Sequence, residues 1–178
     1  MLEINGTGLT ALRLRPGDRV RFVSPASPPE RIAVARGAEI LSSWGLRVEL
    51  GAHVFDTMGH YLAGSDEDRL ADINEAIRDP GLRAIFSTRG GKGSYRIAHA
   101  LDFEAMSRDP KPLVGFSDIT ILHVALWHRC RVAGFMALTL DGVTNITGTQ
   151  PPTICAWRSW THYRLSCVRI EQKSPRTW

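Results

Sequence analysis

Apolar and polar positions change rhythm several times along this chain, and each change predicts an element. Arg19-Val20-Arg21-Phe22-Val23 alternates with a period of two and reads as a first strand. Ser24-Pro25-Ala26-Ser27-Pro28-Pro29 then forbids regular structure and predicts a loop at that strand's C-terminal end. Over residues 30–44, Ile32, Val34, Ala35, Ala38, Ile40 and Leu41 fit one helical face imperfectly, and Gly45 stands where a helix is closed. Residues 46–50 alternate again as a second strand, and 51–64 form a polar loop. Ser65, followed by Asp66, Glu67 and Asp68, predicts an N-cap with acids in the first turn. Leu70, Ile73, Ala76 and Ile77 line the buried face of that helix, which stops near Asp79-Pro80-Gly81. Residues 83–87 read as a third strand, 95–100 and 102–107 as short helical pieces, 113–116 as a fourth strand and 120–129 as an apolar helix.

Strands alternating with helices predict an α/β fold, a mostly parallel sheet flanked by helices. Ligand chemistry in such sheets gathers at the C-terminal strand ends. Three loops follow strands here: the Pro/Ser loop, Arg89-Gly90-Gly91-Lys92-Gly93-Ser94, and Gly115-Phe116-Ser117-Asp118. They are expected on one edge. Beyond Leu140 the rhythm fails: residues 141–152 read as a loop, and 154–178 show no clear period.

Composition sharpens that break. The chain has 178 residues, one domain's length, and a net charge of +4. Residues 151–178 hold five cations against Glu171 alone, so the remainder is neutral, which removes the main compositional support for nucleic-acid binding. Cys130, Cys155 and Cys167 form no C-x-x-C pair and suggest a reducing compartment. No run is long and apolar enough to predict a transmembrane helix, and residues 1–15, a loose leader, lack an apolar signal core. A cytoplasmic location is the expectation.

The chemistry rests on two of the loops. Gly115 lets the chain turn sharply, so Ser117 would project at a strand end with a helix N-terminus behind it. Ser117 or Asp118 could equally be the N-cap of that helix. The glycine loop fails the Walker pattern, since Gly93 follows Lys92 and Phe86 stands where the first glycine belongs. It fails the dinucleotide pattern as well, because it does not follow the first strand. Either it is a plain tight turn, or its backbone N–H groups serve an oxyanion. No histidine stands in a context that marks it as a general base.

Pro16-Gly17-Asp18-Arg19-Val20, Val23-Ser24-Pro25-Ala26-Ser27-Pro28, Tyr61-Leu62-Ala63-Gly64-Ser65-Asp66 with Arg69 and Asp72, the glycine loop, Lys111-Pro112 and Gly115-Phe116-Ser117-Asp118-Ile119-Thr120 together resemble the LD-carboxypeptidase family. Its members include muramoyltetrapeptide carboxypeptidases and microcin C immunity peptidases. The resemblance covers roughly residues 14–120 and, more weakly, extends to 141. It implies a cytoplasmic serine peptidase that needs no cofactor or metal and removes a C-terminal D-residue from an L,D-peptide. The substrate would be a murein tetrapeptide or a peptide-nucleotide conjugate, and the full-length family is a possible homodimer. Ser117 matches the nucleophile. The N–H groups of Asp118 and Gly91 match the oxyanion hole, and Arg89, Gly90 and Lys92 would contact substrate. The family's glutamate and histidine come from a C-terminal domain to which no residue here can be matched. Phe135-Met136-Ala137-Leu138 stands where the family usually shows His-Gly-Pro. Residues 16–150 therefore resemble the N-terminal nucleophile domain, and 151–178 resemble nothing in it. A missing catalytic domain, a frameshift near residue 153, and little activity in this form are the resulting expectations. A carboxylate-binding module without catalysis is the alternative.

Overall fold

The computed structural model describes residues 8–9, 14–136, 154–157 and 165–168. Its centre is one sheet of seven strands in the order β2-β1-β3-β4-β5-β6-β7. These are β1 (Arg19–Val23), β2 (Arg47–Leu50), β3 (Leu82–Ser87), β4 (Leu113–Gly115), β5 (Phe135–Met136), β6 (Ile154–Trp157) and β7 (Leu165–Val168). The first five in that order pair in parallel, while β6 and β7 join antiparallel. The expected α/β fold is observed.

Five α-helices connect the parallel strands: α1 (Arg31–Ser43), α2 (Asp66–Arg78), α3 (Ser94–Ile97), α4 (Phe103–Arg108) and α5 (Thr120–Cys130). α1 ends in a Schellman motif. Gly45, at φ +83°, donates to the Ser42 carbonyl, and Leu46 donates to that of Leu41. α2 begins with a full capping box between Ser65 and Asp68.

The sheet's pleat divides the core. Val20, Phe22, Ala84, Phe86 and Val114 face α1, where they meet Val34 and Leu41. Val23, Leu82, Ile85 and Leu113 face the other way and pack with Ile73, Ile77 and Leu122. Both faces are buried, which is why β3 and β4 read as apolar runs rather than alternations. At the N-terminal strand ends, Arg19 and Arg21 are spent on Glu49, Asp79 and Glu75.

Three differences from the sequence reading stand out. β5 has two residues, too short for any period to register. Residues 154–157 and 165–168 are strands, which corrects the reading of that stretch as lacking regular structure at those eight positions. Its domain assignment otherwise falls on residues outside the described ones. Leu9, within the segment read as a loose leader, donates to the Arg131 carbonyl and bridges to Val132.

The strand order reverses direction between β1 and β3, because the chain leaves β1 toward β2 and later returns to β1's other side. Such a switch point is where open α/β sheets form a ligand crevice, here flanked by the loops following β1 and β3.

Candidate active site

β4 stops at Gly115, and the chain turns at once into a 3-10 turn, Ser117–Ile119, that leads into α5. Phe116 is extended, and Ser117 then takes a φ of +62°. The left-handed region costs an L-residue about 1–2 kcal/mol, and such strain persists only where the surroundings over-determine it. Here Ile119 folds back so closely over Gly115 that a Cβ there would lie 2.6 Å from the isoleucine side chain. Ser117 is left exposed at the strand end. No group among the described residues hydrogen-bonds its hydroxyl. The N-cap alternative is not what the fold adopts, since no side chain caps either the 3-10 turn or α5.

Asp118 does cap a helix, but a different one. Its carboxylate accepts the Ser94 N–H at 2.9 Å at the start of α3, and the Ser94 hydroxyl donates to the Asp118 carbonyl at 2.7 Å. The elbow and the far end of the glycine loop are therefore stitched together. The near end touches it directly. Gly90 is buried, and a Cβ there would lie 3.0 Å from both the Phe116 carbonyl oxygen and Ser117 Cβ.

The Pro/Ser loop backs this arrangement. Ser27 N–H donates to the Gly90 carbonyl at 3.2 Å, and Lys92 N–H donates to Ser27 Oγ at 3.3 Å. Gly91 has a φ of +114°, and a Cβ there would fall on the Ser27 hydroxyl. Only glycine meets both conditions. Among the described residues, no acceptor engages the N–H of Gly91 or of Asp118. Arg89 donates to the Pro28 carbonyl at 3.3 Å, while Lys92 extends exposed. The three loops thus meet on one edge, and every residue expected there is present on it.

The described histidines have other partners or face solvent. His53 Nδ1 is 2.8 Å from Asp56, whose hydrogen bond raises the imidazole pKa, and the His53 backbone N–H donates to Asp72 at 3.0 Å. His53, Asp56 and Asp68 bring ligand atoms within 4.8 Å of one another. However, Asp68 already accepts from the Ser65 backbone and hydroxyl, so the cluster satisfies itself as a helix cap. His123 is buried against β4, 3.1 Å from the Leu113 carbonyl, and burial pushes its pKa down to about 4. His60, His99 and His128 are exposed, and His162 lies outside the described residues. None of the described histidines hydrogen-bonds Ser117.

Sequence reasoning gave Asp118 either a backbone role or the N-cap of its own helix, and gave Ser94 none. The available signal was positional: Ser94 opens a helix directly after Gly93, and Asp118 lies in the short turn that follows Gly115.

A family model for the LD-carboxypeptidase N-terminal domain matches residues 20–137. A relative from Streptomyces coelicolor that carries a carboxypeptidase name is 42% identical over 75% of this chain and 45% of its own. The probable murein peptide carboxypeptidase of Bacillus subtilis is 35% identical over 82% of this chain and 45% of its own. The MccF-like protein of Bacillus anthracis superposes with a TM-score of 0.73 at 25% identity, over 79% of this chain and 43% of its own. MccF in complex with glutamyl sulfamoyl guanosine superposes with a TM-score of 0.68 at 28% identity, over 73% and 39% respectively. The chain spans somewhat under half the length of these proteins.

Proposed function

This chain belongs to the LD-carboxypeptidase family, and on that footing we propose that its described residues form the nucleophile half of a serine peptidase acting on L,D-peptides. The observation that carries the reading is Ser117, held at φ +62° with Gly90 packed against it. A strained, exposed serine between two unspent N–H donors suits acyl transfer.

In this reading Ser117 Oγ attacks the carbonyl that precedes a C-terminal D-residue. The developing oxyanion is received by the Gly91 and Asp118 N–H groups, each worth roughly 3 kcal/mol at the transition state. The D-amino acid departs as the amine, and water releases the acyl group from Ser117. Lys92 and Arg89 offer cationic charge to the substrate's terminal carboxylate. The proton from Ser117 passes to a base outside the described residues, because none of the described histidines hydrogen-bonds that hydroxyl. The substrate is a murein tetrapeptide. A peptide-nucleotide conjugate is the other substrate shape, with glutamyl sulfamoyl guanosine of the MccF complex as its precedent. A cytoplasmic setting and a homodimer belong to this proposal. Among the described residues, no helix is long and apolar enough to cross a membrane.

That no described residue serves Ser117 as a base also favours a second reading, in which the edge binds a peptide carboxylate without cleaving it. One experiment separates the two. The purified chain is mixed with L-Ala-D-Glu-diaminopimelate-D-Ala, and both binding heat and D-Ala release are followed, with Ser117→Ala alongside. Release that depends on Ser117 supports the peptidase. Binding with no release, persisting when the C-terminal half of the Bacillus subtilis relative is fused to the chain, supports the module, and the absence of both removes each reading.

A further inference from the structure

Arg69 takes no part in the chemistry proposed above, yet its side chain is 0% exposed. A guanidinium buried so fully is tolerated only when its donors are met. Here they are met mostly by loop backbone. Nη1 donates to the Pro25 carbonyl at 2.7 Å and to the Gly93 carbonyl at 3.0 Å, and Nε donates to the Ser65 carbonyl at 3.3 Å. Nη2 is ion-paired with Asp66. The same Asp66 carboxylate accepts from Arg96 of α3 at 2.8 Å. One side chain thus joins the loop after β1 to the loop after β3.

We propose that Arg69 is a positioning residue that holds the glycine loop, and with it the Gly91 N–H, in register with the Ser117 elbow. The inference rests on the oxyanion-hole reading of Gly91. Three observations support it. Pro25 lies in no helix or strand, and Gly93 is the N-cap of the four-residue α3, where its carbonyl otherwise accepts the Arg96 N–H at 3.1 Å. Gly93 has a φ of +115° and runs so close to Leu62 and Arg69 that its backbone is seated on the guanidinium. Lys111, the other fully buried cation among the described residues, supplies the contrast. It sits before β4, at the opposite sheet end, and spends its ammonium on Ile77 and Asp109. Burial alone therefore does not place a cation at the crevice. While Nη1 meets both loop carbonyls, Nε and Nη2 tie the same rigid guanidinium to Ser65 and Asp66 at the start of α2, an anchorage that an ammonium with one nitrogen does not offer.

Backbone amide exchange of the whole 178-residue chain, followed by mass spectrometry, tests this without requiring turnover. In Arg69→Lys, residues 90–94 are expected to exchange about tenfold faster or more, while residues 82–87 of β3 keep their protection. In Arg69→Ala, added guanidinium ion should slow exchange at 90–94 again, and an equal concentration of sodium chloride should not. Should Arg69→Lys fail to fold, Asp66→Asn carries the test, since it leaves Arg69 in place without its counter-charge. Unchanged exchange at 90–94 in either folded variant overturns the proposal. So does a rise that β3 shares equally, which marks a merely structural role. The exchange result can fail while D-Ala release persists, and release can fail while the brace holds.

Discussion

Ser94 and Asp118 hold each other twice, with backbone and side chain exchanging roles. The Asp118 carboxylate receives the Ser94 N–H, and the Ser94 hydroxyl reaches the Asp118 carbonyl. The pair fixes the start of α3 against the residue whose own N–H faces the proposed oxyanion. Ser94→Ala should cost about 1 kcal/mol, because the Asp118 carbonyl keeps only the Thr120 N–H of its two donors. Asp118→Ala should cost about 1 kcal/mol through the lost cap. Urea denaturation of both single variants and the double variant measures this. Strict additivity would deny the coupling.

Ser117→Ala should lower any D-Ala release by about three orders of magnitude, with the circular-dichroism spectrum unchanged. Near-normal release by a folded Ser117→Ala protein would take the serine out of the mechanism.

The φ of +62° at Ser117 predicts a stability difference separate from chemistry. Ser117→Gly and Ser117→Ala both lose the hydroxyl, but only glycine occupies that region without strain. The glycine variant should be more stable than the alanine variant by roughly 1 kcal/mol. Equal thermal midpoints would mean that the elbow is unstrained.

Gly90→Ala should harm function more than stability. The added methyl meets the Phe116 carbonyl oxygen and Ser117 Cβ at 3.0 Å, so the elbow must shift. Near-attack geometry is sensitive to such shifts, and D-Ala release should fall about 10²-fold. Unaltered release with intact folding would show that the loop yields instead.

His123 predicts a pH dependence. Burial holds its pKa at about 4 in the fold, below the unfolded value of 6.5. The unfolded chain therefore binds the extra proton first, and this contribution to stability is complete above pH 6.5 and lost as pH falls toward 4. The loss is at most about 3 kcal/mol. Glu49, Asp68, Asp79 and Asp102 have lowered pKa values and act further toward acid, whereas His53, raised by Asp56, acts above the ordinary histidine range. Asp72, raised by burial, opposes the trend near its own titration. Urea midpoints between pH 7 and pH 4.5 should fall less steeply in His123→Gln than in the unaltered chain. Parallel slopes would rule out His123 as the source.

By itself the sequence determined the parallel sheet through β4, the caps at Gly45 and Ser65, and the glycine and serine loops. These follow from local rules: side-chain period, the freedom of glycine, and the pull of small polar side chains on helix N–H groups. Only tertiary structure decided the rest. The two residues of β5 carry no period of their own and become a strand by pairing with β4. The strand order, set by crossovers, put the loops after β1 and β3 on either side of one crevice. Asp118 read locally as a cap for its own helix, yet it caps α3, because the fold brings a stronger claimant within 2.9 Å. Arg69 stood in the sequence only as part of the pattern that follows Ser65-Asp66, with no role of its own. Its role depends on two carbonyls 44 and 24 residues away in the chain, and no local pattern records contacts made at that separation.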